Sequence, residues 1–425
     1  MDEQKPLENK QGEPGKKTEK SEYSFMQETI KDENSRGKKC RKDLLRMAGL
    51  GVVFGVCACI SFSALKPWLD KKFPGDSQEV VIPKEKEEDN TEEKKADTSN
   101  NTEQTLDIDN YRELQKAMND VATEAGKSVV EIIGVSGEQD WTDESYDNKN
   151  SVSGLIIADN GQELLVYGKT SILKDAKEIH IRFSDGNTEQ ASVKKKDESL
   201  GFAIYAVSGS SIEQSTWTQI STAKLGSSNS VQKGDAVAVL GKPFGYAGAV
   251  GFGTIANSRN ELDADDGSYQ LLCTDIGAAE DGTGVIVNLS GEVVGIIDQS
   301  ISDNSSKRLV TGYGISGLKS EIELLSNGQA VPYVGIRGLD VTAEIEAQGI
   351  PNGVYVQTVE PDSPAMAAGI QSGDIITEAA GKKISSLAVY QSDQKSGSKI
   401  RLKGQRQGSG GYVDISFDVT VGSKE

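Results

Sequence analysis

Hydrophobic positions along the 425-residue chain follow three different rhythms. The first is a single apolar run, Met47–Leu65 (MAGLGVVFGVCACISFSAL), nineteen residues without a charge. As a helix, such a run can cross a hydrocarbon core of about 30 Å. The second is a helical period. Ile108, Tyr111, Leu114, Met118 and Val121 recur every three or four residues and predict an amphipathic helix over 107–125. The third is a series of short apolar runs broken by Gly, Asn and Asp: SVVEIIGV, GLIIAD, ELLVY, EIHIRF, FAIYAV, AVAVLG, GFGTIA, QLLCT, GVIVN and EVVGIID. Strand-length runs at this density predict an all-β double barrel or sandwich rather than a βαβ sheet. A short helix around Leu318–Leu325 ends the series.

The polar stretches set the outer boundaries. Residues 1–46 are rich in Lys, Glu and Gly with no apolar period, and the first forty predict a disordered tail. Residues 67–106 repeat that mixed charge, as in KEKEEDNTEEKKADTSNNTEQT, and predict an extended tether. Arg36, Lys38, Lys39, Arg41, Lys42 and Arg46 crowd the N-terminal side of the apolar run. By the positive-inside rule this places residues 1–46 in the cytoplasm, a transmembrane helix over 47–66, and everything beyond it on the extracytoplasmic side. A cleaved signal peptide is the competing reading, but 46 residues are too long for an ordinary leader before its apolar core.

Charge and cysteines narrow the chemistry. The net charge is -19, from 46 Lys/Arg against 65 Asp/Glu. Residues 1–46 hold twelve Lys/Arg and ten Asp/Glu, so the rest carries -21. Nucleic acid is therefore not an expected partner, since phosphate binding needs clustered cations. Of four cysteines only Cys273 lies beyond the apolar run, which leaves no intramolecular disulfide there and predicts a small buried apolar residue. One histidine and one such cysteine exclude the usual zinc sets, and no phosphate-cradling glycine loop opens a helix, so no cofactor is expected. The acidic turn Asp263, Asp265, Asp266 lacks the ligand spacing of a calcium loop and reads as a solvated hairpin tip.

Four stretches resemble the HtrA family, trypsin-fold serine proteases with a C-terminal PDZ domain. They are ELLVYGKTSILKDAKEIHIRFSDG (163–186), DESLGFAIYAV (197–207), VAVLGKPFGYAG (237–248) and TDIGAAEDGTGVIVNLSGEVVGII (274–297). The resemblance covers roughly residue 107 to the C-terminus. It implies a mainly β fold, a trypsin-like double β-barrel over 107–328 followed by a PDZ domain over 329–425. With one anchor and no ectodomain disulfide, the chain resembles bacterial members, and the family implies a possible homotrimer.

The resemblance also locates the catalytic positions, and they are altered. Anchored on KDAKEI, the histidine position falls on Ser171. In SLGFAIYAV the aspartate position falls on Gly201. In the nucleophile loop the serine position falls on Gly282, or on Thr283 with a shift of one residue. A triad of this kind needs an imidazole to take the nucleophile's proton. The only imidazole is His180, in KEIHIRF, where Ile179, Ile181 and Phe183 alternate with His180 and Arg182. Alternate strand residues face opposite ways, so His180 shares a polar face with Arg182. Glu280 and Asp281 bring negative charge to the loop that would have to stabilise an oxyanion. The expectation is a pseudoprotease with no enzyme activity. An active serine endopeptidase is the alternative, with Thr283 or Ser171 activated by Lys169 or Lys174.

At the C-terminal end, PYVGIRGLDV (332–341) resembles the carboxylate-binding loop and first strand of a PDZ domain, and GVYVQTVEPDSPAMAAGIQSGDIITEAAGKKI (353–384) resembles its most regular stretch. The resemblance implies binding of peptide C-termini or unfolded proteins at Tyr333, Val334, Gly335 and Ile336. The N–H groups of Val334, Gly335 and Ile336 would converge on a terminal carboxylate. Val334, Ile336 and Leu387 or Tyr390 would line the pocket for the last side chain. A segment of the chain itself filling this groove is the bland alternative.

Overall fold

The computed structural model describes residues 78–83, 108–136, 150–302, 308–387, 390 and 396–424. The tail expected at 1–46, the span expected at 47–66 and most of the tether lie outside these residues. Among the described residues no helix is long and apolar enough to cross a membrane. Residues from Asp76 onward form one compact unit.

Strands β1 (Val129–Val135), β2 (Ser151–Asp159), β3 (Glu163–Lys169), β4 (Glu178–Arg182), β5 (Thr188–Asp197) and β6 (Phe202–Ser208) close a first barrel in the order β1-β2-β3-β6-β5-β4. Strands β7 (Ala236–Lys242), β8 (Ala249–Ala264), β9 (Gly267–Gly277), β10 (Thr283–Asn288), β11 (Val293–Asp298) and β12 (Leu309–Gly314) close a second, in the order β10-β11-β12-β9-β8-β7. Every pairing is antiparallel.

The continuous apolar runs follow from burial on two faces. Along β6, Ala203, Tyr205 and Val207 fill the first barrel, whereas Phe202, Ile204 and Ala206 face the core shared by both barrels. Val237 and Val239 of β7 fill the second barrel, and Ala238 and Leu240 turn to the shared core. A strand alternates faces, so covering both with apolar neighbours removes the polar alternation. Each Leu or Ile so buried contributes roughly 1.5–3 kcal/mol.

Two strands lack an apolar run in the sequence. β5 (TEQASVKKKD) is exposed or half-buried along nearly its whole length, so no hydrophobic pattern marks it. β12 (LVTGYG) is buried, but its two glycines dilute the signal. Both were absent from the ten predicted runs.

Helix α1 (Ile108–Gly126) forms where its period predicts, but its burial differs. Ala122 and Ala125 are buried, while Ile108, Tyr111 and Leu114 are exposed. The small residues make the close approach and leave the first two turns of the apolar stripe uncovered. Gln78–Pro83, expected within the tether, lies on the barrels instead. Val80 N–H donates to Asn327 Oδ1 at 2.9 Å, Ile82 N–H donates to Glu323 Oε2 at 3.1 Å, and Ile82 is buried. Cys273, expected to be buried, is half-buried, with its Sγ 3.7 Å from Thr311 Oγ1.

Helix α2 (Ile315–Ser326) sends Ile315, Leu318, Ile322 and Leu325 into the shared core. The same face carries Glu321, which is 6% exposed. Tyr167 donates to its Oε1 at 3.2 Å, and its Oε2 has no hydrogen-bond partner among the described residues.

The C-terminal sheet runs β13 (Ile336–Asp340), β14 (Val354–Val359), β15 (Asp374–Ala379), β17 (Lys399–Gly408) and β18 (Gly411–Thr420), with β16 (Lys382–Lys383) paired to β15. Helix α3 (Pro364–Ala368) covers it, capped by Ser363 at its start and by left-handed Gly369 at its end. β13 lies at the end of the strand order, so one of its edges has no neighbour in this sheet.

Burial raises the Glu321 carboxyl well above its ordinary 4.5, and the charge of Asp197 adds to the effect. The native acid keeps its proton, whereas the unfolded one releases it above about pH 4.5, so rising pH favours unfolding by up to about 1.4 kcal/mol per unit. Glu321→Gln keeps the shape and removes this penalty. The variant's Tm should rise relative to the parent as the pH is raised above about 5, and a difference that does not change with pH contradicts the assignment.

Candidate functional site: a cleft between barrels and a carboxylate loop

The seam between the barrels opens into a cleft of about 440 Å³. Ser171, Gly282 and Thr283 line it, with Lys169, Asp298, Glu280 and Asp281. Gly201 stands beside it, because a Cβ built there would lie 3.7 Å from Lys169 Nζ. The positions singled out from the sequence are thus brought together.

Their local structure is set by turns and by contacts across the seam. Gly201 sits at φ +75° in the β5–β6 turn, in a left-handed conformation that strains any larger residue. The nearby acid is Asp197. Its carboxylate accepts from the N–H groups of Ser199 and Leu200, both at 3.1 Å, and so ties the turn. Burial raises its pKa despite those donors. A Cβ at Gly282 would meet the Pro243 carbonyl oxygen at 2.7 Å and that of Ala279 at 3.1 Å, so no side chain fits without movement. The Gly282 N–H donates to Ala279 O at 3.1 Å, which directs it into the loop's own turn.

Thr283 is engaged across the seam. Its Oγ1 accepts from Ser153 N–H at 2.9 Å and lies 3.4 Å from Ser153 Oγ. Lys169 is also taken, since its ammonium pairs with Asp298, a buried residue that faces Thr283 across β10 and β11. The same ammonium lies 5.0 Å from the centre of the Phe202 ring. Among the described hydrogen bonds none joins Lys169 to Ser171 or to Thr283. Near one end of the seam, Lys242 is buried and donates to Ser151 O at 3.0 Å. Desolvation lowers its pKa, against the pull of Asp281 and Glu131.

His180 does not line this cleft. It lies on β4 opposite Ile133 and Gln190, with Nε2 3.4 Å from Glu178 Oε2. Ile181 and Phe183 are buried on the other face, as the alternation predicts.

The second site is the loop before β13. Gly335 has φ +87°, and a Cβ there would fall 2.4 Å from Ser363 Cβ, so only glycine fits. The N–H groups of Val334, Gly335 and Ile336 do converge on a carboxylate, but it belongs to Asp266 in the β8–β9 turn. Val334 and Gly335 donate to its Oδ2, both at 2.7 Å, and Ile336 donates to its Oδ1 at 3.2 Å. Asp266 N–H returns a bond to Ile336 O at 2.6 Å. Tyr333 takes no part in this ring, because its N–H and C=O bridge Gly422. Val334, Ile336, Leu387 and Tyr390 are all buried in one hydrophobic core cluster of this domain.

The acidic turn is therefore not a solvated tip. Asp263 is exposed, but Asp265 and Asp266 are 9% and 5% exposed. Asp265 pairs with Arg337 Nε at 2.8 Å and Lys424 Nζ at 3.0 Å. Burial raises the Asp265 carboxyl, but those two cations outweigh it and hold the group below its usual value. Burial pushes Asp266 up to about 6, against three N–H donors that favour the anion. Sequence reasoning missed this contact because a DDG turn carries the same signal whether water or another domain surrounds it.

A double barrel with an interbarrel cleft, followed by a sheet with a carboxylate loop, defines a trypsin-like peptidase domain joined to a PDZ domain. Residues 152–296 match the trypsin-like peptidase family and residues 332–417 match the PDZ family. The chain is similar in sequence to HtrA-type serine proteases. It is 26% identical over 281 residues to the serine protease Do-like HtrB of Bacillus subtilis, covering 60% of this chain and 59% of that one. It is 29% identical over 292 residues to the periplasmic serine endoprotease DegP of Escherichia coli K12, covering 64% and 57%. The match thus spans less than two thirds of the length of these relatives. Among solved structures, the HtrA-type protease AlgW with tripeptide superposes with a TM-score of 0.50 at 18% identity, covering 72% of this chain and 97% of that one, which shows the fold.

The Lys169–Asp298 pair is buried at the seam, so breaking one side strands a charge. Asp298→Ala should cost about 3–5 kcal/mol in denaturant unfolding. The Lys169→Met/Asp298→Ala double variant should lose at least about 1 kcal/mol less than the summed single losses. Strict additivity would mean that the two groups do not interact.

Proposed function

We propose that this chain is a non-proteolytic HtrA-like protein that binds peptide C-termini or unfolded chains through its PDZ domain. In this reading a single helix at 47–66 anchors it in the plasma membrane, with the N-terminus cytoplasmic and the folded part outside. The observation that carries the proposal is the state of the cleft. Ser171, Gly201 and Gly282 stand at the three positions where the family resemblance requires a base, its orienting acid and a nucleophile. Of the two lysines that could replace the base, Lys169 is held by Asp298 and Lys174 is exposed. Losing the nucleophile or the base of such a triad costs on the order of a millionfold in rate. Self-association would be built on α1, where Ile108, Tyr111 and Leu114 are exposed.

The second reading, an active serine endopeptidase, is favoured by the names of the relatives, which are serine proteases. Incubating the full-length protein with unfolded casein and with a fluorophosphonate probe separates the two. We expect neither fragments nor labelling above a heat-denatured control. Labelling that Thr283→Ala abolishes would establish the protease instead.

A further inference from the structure

Asp266 offers the carboxylate loop both groups that the last residue of a peptide would offer. Its side-chain carboxylate meets the N–H groups of Val334, Gly335 and Ile336, and its own N–H meets Ile336 O. Reciprocal bonds with one residue are how an added strand begins on a sheet edge. The turn holds Asp266 at φ +60°, a conformation that aspartate tolerates better than most residues. Asp265 next to it is clamped by Arg337 from the loop side and by Lys424 from the C-terminal segment. Beyond Ile336 the edge of β13 has no strand beside it in this sheet, and Leu339 is 40% exposed. The occupant thus takes the carboxylate position, and among the described residues no strand pairs with the rest of that edge.

We propose that Asp266 is a built-in competitor for the PDZ site, and that a polypeptide with a free α-carboxylate binds by displacing it and freeing the β8–β9 hairpin from the loop. The proposal rests on reading the PDZ loop as a binder of chain ends and adds how that site is controlled. Its consequence is a coupling between the domains. Ligand and barrel compete for the same three N–H groups, so peptide binding on one side must release the barrel on the other.

The test measures binding of fluorescein-labelled random decapeptides ending in valine to the full-length protein by fluorescence anisotropy. One pool carries a free α-carboxylate and the other a C-terminal amide. Asp266→Asn keeps the turn and replaces a carboxylate oxygen with an amide that faces donors. It should tighten binding of the free-acid pool by about tenfold or more, because the competent fraction rises. Lys424→Ala, which removes one clamp on Asp265, should shift affinity the same way by a smaller factor. Gly335→Pro should abolish binding in either background, and the amide pool should bind none of the proteins. Thermal unfolding checks that each variant is folded. Equal affinity of parent and Asp266→Asn for the free-acid pool, within twofold, overturns the competitor while leaving chain-end binding intact. Failure of the folded parent and of folded Asp266→Asn to bind the free-acid pool overturns chain-end binding, and the competitor with it. Equal binding of acid and amide pools overturns both, since neither then uses the carboxylate loop.

Discussion

The seam between the two barrels is the constraint on which the other features depend. Its apolar part is one core shared by Leu165, Tyr167, Phe202, Leu240, Val285 and the inner face of α2. Its polar part is a short series of cross-barrel contacts: Ser151 with Lys242, Ser153 with Thr283, and Lys169 with Asp298. Buried polar groups must be satisfied by partners, because water cannot reach them. Here the partners come from the opposite barrel, so each contact fixes how the barrels sit. Lys169, Asp298 and Thr283, which line the cleft, also take part in this joint. Lys169 cannot serve as a free base while it neutralises Asp298, and Thr283 cannot turn outward while it accepts from Ser153. The polar contacts that join the barrels and the engagement of Lys169 and Thr283 are two sides of one arrangement.

The same joint supports the C-terminal domain. The turn after β5, fixed by the carboxylate of Asp197, presents Glu198, whose N–H donates to Lys424 O at 3.0 Å. Lys424 in turn reaches Asp265 and lies 5.3 Å from the centre of the Tyr333 ring. The final residues of the chain therefore lie between the first barrel's turn and the second barrel's hairpin, and they hold both near the carboxylate loop. The proposed competitor is positioned by contacts that span all three folded parts.

How much of this was legible in the sequence follows from where each signal lives. Strands buried on both faces, such as FAIYAV and AVAVLG, announce themselves through composition. β5 does not, because TEQASVKKKD packs few of its side chains and is placed by its neighbours β4 and β6. The first half of α1 misled in the opposite way, since Ile108, Tyr111 and Leu114 have the period of a buried face yet are exposed. Periodicity states that a face is apolar, not that something within the chain covers it. Of the sites, Ser171, Gly282 and Thr283 could be brought to one cleft by resemblance, and Val334–Ile336 to one loop. The Lys169–Asp298 pair joins residues 129 positions apart, and Asp266 meets Val334 across 68. Local sequence carries no record of such partners.

The choice of an aspartate side chain as occupant has an energetic logic. A tethered competitor acts at an effective concentration on the order of millimolar, so even a weak contact stays formed. Charge-assisted hydrogen bonds to an anion are worth roughly 1.5–3 kcal/mol each as a net contribution. Burial of Asp266 offsets much of that gain, as its carboxyl pushed up to about 6 records. The docked state is then held by a modest margin, not a large one. A true chain end brings the same carboxylate but also a backbone that continues along the edge of β13 and a last side chain of its own. Those additional contacts are what Asp266 cannot make, because the chain on either side of it turns back into β8 and β9. An occupant complete at the carboxylate and truncated everywhere else excludes weak anions and yields to ligands that use the whole groove.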